Sequence, residues 1–491
     1  MAFPMRNIFL AFSIYLASPL VNYVTANDCS NQTITFTPTY LSFNIQSDPT
    51  DLTAKVCSYQ FIVPRFYVPV VNISSLNFQG NNMISIHQYA EYSGDTITNV
   101  TSSNKSTTIT LAPVNFRLDI NLSDRRPNDT FAITITVADS KTTIASQFQV
   151  ANGLSAMFLT GNLKYNTSVI QQNQDGLVYT IRVISFIEDM YNWLLKYNHI
   201  YDGLQYKGSL YDVLMTTKKC DGSQFMIVNT LKSSVSLSGV TYMISPQYTF
   251  PNVQSVVTQK SQKYRTSTIN ATNGVTVVHE VLDIYYSTAD SLFVLKNITL
   301  IGNGTLDVYG GCVTEPLEQY RVATINSSNI DSYPELRLFG QCRTYVLDQG
   351  TARWYKDDGY TGTPQQQVGS KRAIMSWDFP YNNTSTQDYW NRYRIEGPNQ
   401  NIIVVYEIAS IAPGVKVSLF EIGKVGGTQV FTSADIGTTF TSVSTSQQYL
   451  NYTIPRNSGG VLLRYTVLSS ASGLHYFMIV AISIVGYLTN L

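Results

Sequence analysis

Asn115-Phe116-Arg117-Leu118-Asp119-Ile120-Asn121-Leu122 puts apolar side chains at every second position, with Arg117, Asp119 and Asn121 between them. A few residues on, Phe131-Ala132-Ile133-Thr134-Ile135-Thr136-Val137 does the same with Phe131, Ile133, Ile135 and Val137. Successive side chains of a strand point to opposite faces, so a period of two means one buried face and one wet face. Val415, Val417 and Leu419 repeat the pattern, as do Val461, Leu463, Tyr465 and Val467. Helical spacing is confined to Phe186–Asn198. There Ser185 and Glu188 form a possible capping box, and Met190, Trp193, Leu194 and Tyr197 line one face of a short helix packed on a sheet. The expected fold is therefore all-β: tandem antiparallel β-sandwich modules with at most short helices.

The chain has 32 basic and 32 acidic residues and a charged fraction of 13%. Lys218-Lys219 and Arg125-Arg126 are isolated pairs. Nucleic-acid binding needs a concentrated positive face, so no nucleic-acid partner is expected. With so few charges, solubility must come from neutral polar groups or from sugar. Asn-x-Ser/Thr acceptors begin at Asn31, Asn72, Asn99, Asn104, Asn121, Asn128, Asn166, Asn270, Asn297, Asn303, Asn326, Asn382, Asn383 and Asn451. Asn382 and Asn383 overlap and compete. One match is weak evidence; fourteen behind an export signal point to the secretory route.

That signal is read in residues 1–26: Arg6, then the apolar run Ile8 to Leu20, then small residues at Val24-Thr25-Ala26. At the other end, Leu474 to Leu488 is apolar and no basic residue follows it. This fits a lipid-anchor signal (471–491) better than a membrane-spanning helix. Ser470, in the small-residue cluster Ser469 to Gly473, is the expected attachment site. The expected location is the extracellular face of the plasma membrane, or the medium.

Five cysteines, Cys29, Cys57, Cys220, Cys312 and Cys342, are expected to pair in an oxidising compartment. Cys29 with Cys57 and Cys312 with Cys342 close loops of similar size, which leaves Cys220 over. No zinc spacing is present. The roughly 440 residues between signal and tail exceed one ordinary domain. Three modules are expected: 27–142, 154–328 and 332–468.

Cys29, then Cys57-Ser58-Tyr59-Gln60-Phe61-Ile62-Val63-Pro64, resembles the opening of a CUB-like domain. Ile200-Tyr201-Asp202-Gly203 and Lys207-Gly208-Ser209-Leu210-Tyr211 resemble its Tyr-Asp-Gly and Gly-x-Leu elements. Tyr333-Pro334-Glu335 through Cys342-Arg343-Thr344-Tyr345-Val346-Leu347 resembles a later region of the nematode family of secreted CUB-like proteins. The resemblance implies β-sandwiches, an extracellular location, frequent lipid anchoring and an association with defence or stress responses. It implies no molecular activity. The calcium ligands of other CUB domains are not carried over: Asp202 is present, but the upstream context is Lys196-Tyr197-Asn198-His199.

Chemistry is sparse. There are four histidines, His87, His199, His279 and His475, and no Gly-x-Ser-x-Gly turn. His279, beside Glu280, reads as a half-exposed strand residue. Asp357-Asp358 and Glu188-Asp189 are adjacent carboxylates that strand geometry sends to opposite faces, against a glycosidase pair. Gly302-Asn303-Gly304 and Gly426-Gly427 read as hairpin turns, not phosphate loops. The 34 tyrosines, with clusters at Trp354-Tyr355, Tyr381 and Trp390 to Tyr393, serve either as core filling or as sugar and protein contacts. No catalytic residue, cofactor or metal is assigned. The expected function is binding or shielding at the cell surface, against an extracellular glycan or protein, in innate defence or stress. A secreted hydrolase with an unrecognised site and a structural coat protein are the alternatives.

Overall fold

A computed structural model describes residues 23–25 and 32–469, apart from 49, 51–52, 102–105, 140–142, 149–152, 161–166, 172–177, 187–188, 204, 217–219, 223, 231–238, 263, 283–291, 358–366, 377–378, 382–401, 422–427, 445–447 and 456–457. The residues named above for the export signal up to Leu20, the attachment site Ser470 and the apolar tail lie outside these, as do Asn31, Asn104, Asn166, Asn382, Asn383 and Trp390 to Tyr393.

The alternation at 116–122 becomes the strand Phe116–Leu122, with Phe116, Leu118, Ile120 and Leu122 buried. Phe131 to Val137 lies in the strand Thr130–Asp139, again with its apolar positions inward. The two strands belong to facing sheets. One runs Tyr23–Thr25, Ser42–Gln46, Thr130–Asp139, Tyr67–Asn77, Thr107–Thr110. The other runs Gln32–Thr35, Lys55–Ile62, Phe116–Leu122, Met83–Ala90, Gly94–Val100. Tyr59, Phe61, Phe116, Ile133 and Ile135 fill the space between them. Phe61 and Phe116 stack at 4.6 Å between ring centroids.

The described strands form eight sheets, which make four sandwiches, and every described helix is short. The first sandwich belongs to one compact unit, which also takes in Tyr206–Gly208, and the rest of the other three forms a second. The second sandwich lies between Thr143 and Ser245 and the third between Val253 and Asp357. The fourth joins Lys371–Met375, Val461–Ser469, Ile402–Ile411 and Thr439–Ser444 to a smaller sheet of Gln429–Phe431, Lys416–Glu421 and Gln448–Thr453.

The strand order repeats where the sequence does not. In the first sandwich one sheet starts with Gln32–Thr35 parallel to Lys55–Ile62, followed by antiparallel Phe116–Leu122, Met83–Ala90 and Gly94–Val100. The second sandwich has the same order in Thr143–Phe148, Thr167–Gln171, Phe225–Asn229, Asn198–Asp202 and Gln205–Ser209. The third has it in Val253–Lys260, Val275–Val281, Cys342–Leu347, Leu306–Gly310 and Arg321–Ile325. In each case the first two strands are parallel.

Three expectations change. Four sandwiches stand where three modules are expected, because 154–328 takes in most of the second sandwich and most of the third. The boundary placed at 328–332 falls inside the third sandwich, between Arg321–Ile325 and Glu335–Leu338. Asn326 and Asn329 make a tight turn there: Asn326 Oδ1 accepts from the backbone N–H of Ser328, and Asn329 Oδ1 from that of Asn326. Such polar turn chemistry reads like a linker in sequence. The helix at 186–198 is a 3-10 helix, Asp189–Tyr197. Its tighter period buries Asn192, Leu194 and Leu195 and leaves Trp193 49% exposed, so Trp193 is not on the packed face.

Cys312 and Cys342 form a disulfide. Cys57 is also disulfide-bonded, and Cys29 lies outside the described residues. Cys220 opens the strand Cys220–Gly222. The Cys312–Cys342 loop spans 30 residues, and opening a loop of this length costs about 3.5 kcal/mol in a chain-entropy treatment. The double variant Cys312→Ser/Cys342→Ser is expected to show a loss of that order in denaturant unfolding. A loss below about 1 kcal/mol would put the stability of this region elsewhere.

Candidate binding site

The polar face of the strand Phe116–Leu122 is the centre of an open groove. Register sets its rows: Ser58, Asp119, Ser85 and Asn99 lie side by side across four strands, with Gln60, Arg117, His87 and Ile97 in the next row. Tyr89 stands opposite Asp95. Gln60, His87, Tyr89, Ile97, Asn115 and Arg117 are among the residues lining a groove of about 410 Å³.

Its polar groups are held in place by bonds within the same sandwich. Asp119 Oδ1 accepts from Ser58 Oγ at 2.7 Å, and Oδ2 accepts from Arg117 Nε at 3.1 Å. His87 Nε2 lies 3.1 Å from the same Oδ2. Asn115 Oδ1 accepts the backbone N–H of Val63, which orients its amide and leaves the Nδ2 protons as donors. Gln88 is fixed at both ends, donating to Ala112 O and accepting from Ala112 N, each at 3.2 Å. Against this fixed polar set stand two apolar side chains in the open, Tyr89 at 64% and Ile97 at 61% exposure. They occupy neighbouring strands on a cross-strand diagonal, close enough for an aromatic ring to reach its neighbour.

The corresponding face of the third sandwich is covered. There His279 and Thr344 are a cross-strand pair, and the second sandwich packs over them through Ile184 and Met243, against Val281 and the disulfide. His279 is fully buried, not half-exposed as its sequence position implies. The Thr344 hydroxyl donates to Gly311 O at 2.7 Å and accepts from Val313 N at 2.8 Å. Its one proton is thus committed, so at 2.9 Å from His279 Nδ1 it accepts, and the ring carries its proton on Nδ1. Nε2 then accepts from the Tyr248 hydroxyl at 2.8 Å, and Arg182 Nη1 donates to that hydroxyl at 3.1 Å. Burial, and after it the charge of Arg182, pushes the imidazole down to about 3. Both nitrogens are used, so the ring is neither a free base nor a ligand. Cys312 and Cys342 lie within 4.8 Å of it, but their sulfurs are in the disulfide and neither is a thiolate. The three do not make a metal centre.

Other expected residues resolve into structure. His199 is buried, 3.0 Å from Thr230 Oγ1, and burial pushes it down to about 3. Asp357 pairs with Lys296 at 2.6 Å. Trp354 is core, packed on Tyr345. Tyr381 accepts from Cys312 N and donates to Ser155 O. Glu280 is buried between the sheets of the third sandwich, in contact with Lys356 and accepting from the Tyr345 hydroxyl at 3.0 Å. Of the acceptor asparagines, Asn72, Asn99, Asn128, Asn270, Asn297 and Asn303 are exposed, Asn121 and Asn326 are half-buried, and Asn451 lies in the strand Gln448–Thr453. No sequence motif marks Tyr89 or Ile97. The two runs 83–90 and 94–100 around a short turn ending at Gly94 are the signal that finds their hairpin.

A family described as "Domain of unknown function (DUF7591)" matches residues 249–355, which is the third sandwich. No curated protein matches the chain. Among solved structures, the CUB1-EGF-CUB2 domain of human MASP-1/3 aligns over 42% of this chain and 99% of its own, at 7% identity and a TM-score of 0.17. The CUB1-EGF-CUB2 domains of rat MASP-1 align over 43% and 99%, at 9% identity and 0.16. The full extracellular region of zebrafish Gpr126/Adgrg6 aligns over 89% of this chain and 52% of its own, at 8% identity and 0.19.

The buried histidine gives a pH signature. In the unfolded chain it titrates near 6.5 and in the folded chain near 3. Above pH 6.5 both states are neutral there. Between 6.5 and 3 only the unfolded state takes up the proton, so stability falls by about 1.4 kcal/mol per pH unit as pH drops. His279→Asn is expected to remove that share of the acid slope in denaturant unfolding measured from pH 7 to 4. An unchanged slope would mean that the ring is protonated in the fold.

Proposed function

We propose that this chain is an extracellular, N-glycosylated binding protein, and that the outer-face groove of its first sandwich takes a neutral sugar of a surface glycan. The observation that carries this reading is the placing of Tyr89 and Ile97, both largely exposed, beside oriented donors and acceptors in one groove. A sugar ring has an apolar C–H face that stacks on an aromatic ring, and hydroxyls at its rim that need fixed partners. Asn115 Nδ2, Gln60 and Arg117 supply such partners. Arg117 and Asp95 bring opposite charges to the groove, which favours a neutral ligand over an acidic one. The role is recognition, with no step of bond making. His199 and His279 support this, since each is buried in its neutral form.

The resemblance at Cys57 to Pro64 and at Tyr333 to Leu347 supports a place in defence or stress responses at an exposed cell surface. The acceptor asparagines and the three disulfide-bonded cysteines, Cys57, Cys312 and Cys342, support the secretory route. Lipid attachment at Ser470 follows the strand Val461–Ser469, which is internal to its sheet and must be kept. Phosphatidylinositol-specific phospholipase C is expected to release the protein from intact cells. Recovery of a C-terminal peptide through Leu491 from the membrane fraction would rule the anchor out.

The binding test is a glycan array and a whole-bacteria pull-down with the secreted protein. Against any glycan that binds, Tyr89→Ala/Arg117→Ala is expected to weaken affinity about tenfold or more. Equal binding by the variant would place the ligand elsewhere on the molecule. Binding confined to proteins would point to the protein-ligand alternative.

A further inference from the structure

Asn72, Asn99 and Asn270 share one arrangement. Each stands directly opposite a hydroxyl residue on the neighbouring strand: Thr108, Ser85 and Thr351. That hydroxyl donates to the asparagine Oδ1, at 3.3, 2.8 and 2.9 Å. The oxygen is thereby committed, and Nδ2, the atom that receives a glycan, takes no part in the bond. All three side chains are exposed.

Two of them sit where a sheet is most vulnerable. Among the described strands, Gly94–Val100 and Thr266–Ala271 are the outermost of their sheets. An outermost strand offers unpaired N–H and C=O groups to another chain, and proteins usually blunt it with Lys, Arg or Pro. The edge strands Val253–Lys260, Arg321–Ile325, Glu335–Leu338 and Lys371–Met375 carry Lys or Arg. Gly94–Val100 and Thr266–Ala271 carry neither, and no Pro. Each holds an acceptor asparagine instead. Gln448–Thr453, also outermost and without Lys, Arg or Pro, holds Asn451. Thr439–Ser444 has neither device, nor do the mostly shorter edge strands Tyr23–Thr25, Gln32–Thr35, Thr107–Thr110, Thr143–Phe148, Ala156–Leu159 and Gln429–Phe431.

We propose that N-glycans on Asn99 and Asn270 guard the free edges of their sheets, in place of Lys, Arg or Pro, and keep copies of this chain from pairing edge to edge. The proposal rests on the reading of the chain as a glycoprotein. It fits the low charged fraction of 13%: where charges are scarce, a hydrated glycan is the remaining bulky polar group able to block a strand.

The test uses the full secreted chain. Thr101→Ala/Thr272→Ala destroys both acceptor sites but keeps both asparagines and their cross-strand bonds. Thr130→Ala/Thr305→Ala removes the same number of glycans from Asn128 and Asn303, which lie in turns. Light scattering during size-exclusion chromatography is expected to show larger species for the first variant and the parent mass for the second, corrected for glycan. Adding Thr98→Lys and Thr268→Lys to the first variant puts a charge on each bare edge and is expected to restore the parent mass. If the first variant is not secreted, restored secretion by the lysines supports the proposal and its failure overturns it. Intact-mass analysis of the parent separates the two readings. Empty Asn99 and Asn270 overturn both for these sites; occupied sites with an unchanged association state overturn edge protection alone.

Discussion

Gly310-Gly311-Cys312-Val313 is the corner on which the larger unit depends. A side chain at Gly310 would come within 2.7 Å of Met375 Sδ, and one at Gly311 within 2.5 Å of Pro380 Cδ. Gly311 also has φ +87°, where other residues are strained. The absent side chains let the lead-in to the fourth sandwich lie directly on the third. From the second sandwich side, Ser155 N donates to Cys312 O at 2.7 Å and Leu154 bridges to Val313. Tyr381 closes the corner between Cys312 N and Ser155 O. The disulfide and the Thr344 hydroxyl hold the corner to the strand Cys342–Leu347, so segments from three sandwiches depend on one short stretch of backbone.

Much of this architecture was written in the period-two runs. Phe116, Leu118 and Ile120, and Val461, Leu463, Tyr465 and Val467, are buried where alternation puts them, because a half-buried strand leaves a signal in every second residue. The runs Phe225–Asn229 and Val240–Ser245 are buried at almost every position. Strands covered on both faces do not alternate, so these two runs leave no period-two signal. The repeat of strand order was invisible, since topology is fixed by which strands pair and not by which residues fill them. The environment of His279 was also illegible: its neighbours Arg182 and Tyr248 lie far off in sequence, and only the packing of one sandwich on another makes the position a buried one.

The same topological face therefore appears twice with opposite fates. On the third sandwich it is an interface within the chain, while on the first it carries the open groove. The difference lies in where polar groups find partners. On the covered face, His279 takes its second bond from Tyr248, which lies outside the strands of both faces and is itself bonded by Arg182 of the second sandwich. Removing that cover would expose the apolar surface of Ile184, Met243 and Val281 to water. Such a face has no stable uncovered state.

On the first sandwich the corresponding polar groups are satisfied within their own sheet. Asp119 draws on Ser58, Arg117 and His87, all on the same face, and Asn115 and Gln88 are tied to backbone close by. These bonds survive in water, being partly exposed and worth little individually, and they need no partner to complete them. What they leave over is two apolar side chains and a few free donors: too little to demand a permanent cover, and enough to gain from a temporary one. A face built this way is stable bare and can be occupied reversibly, which is the physical requirement of a binding site as distinct from a domain interface.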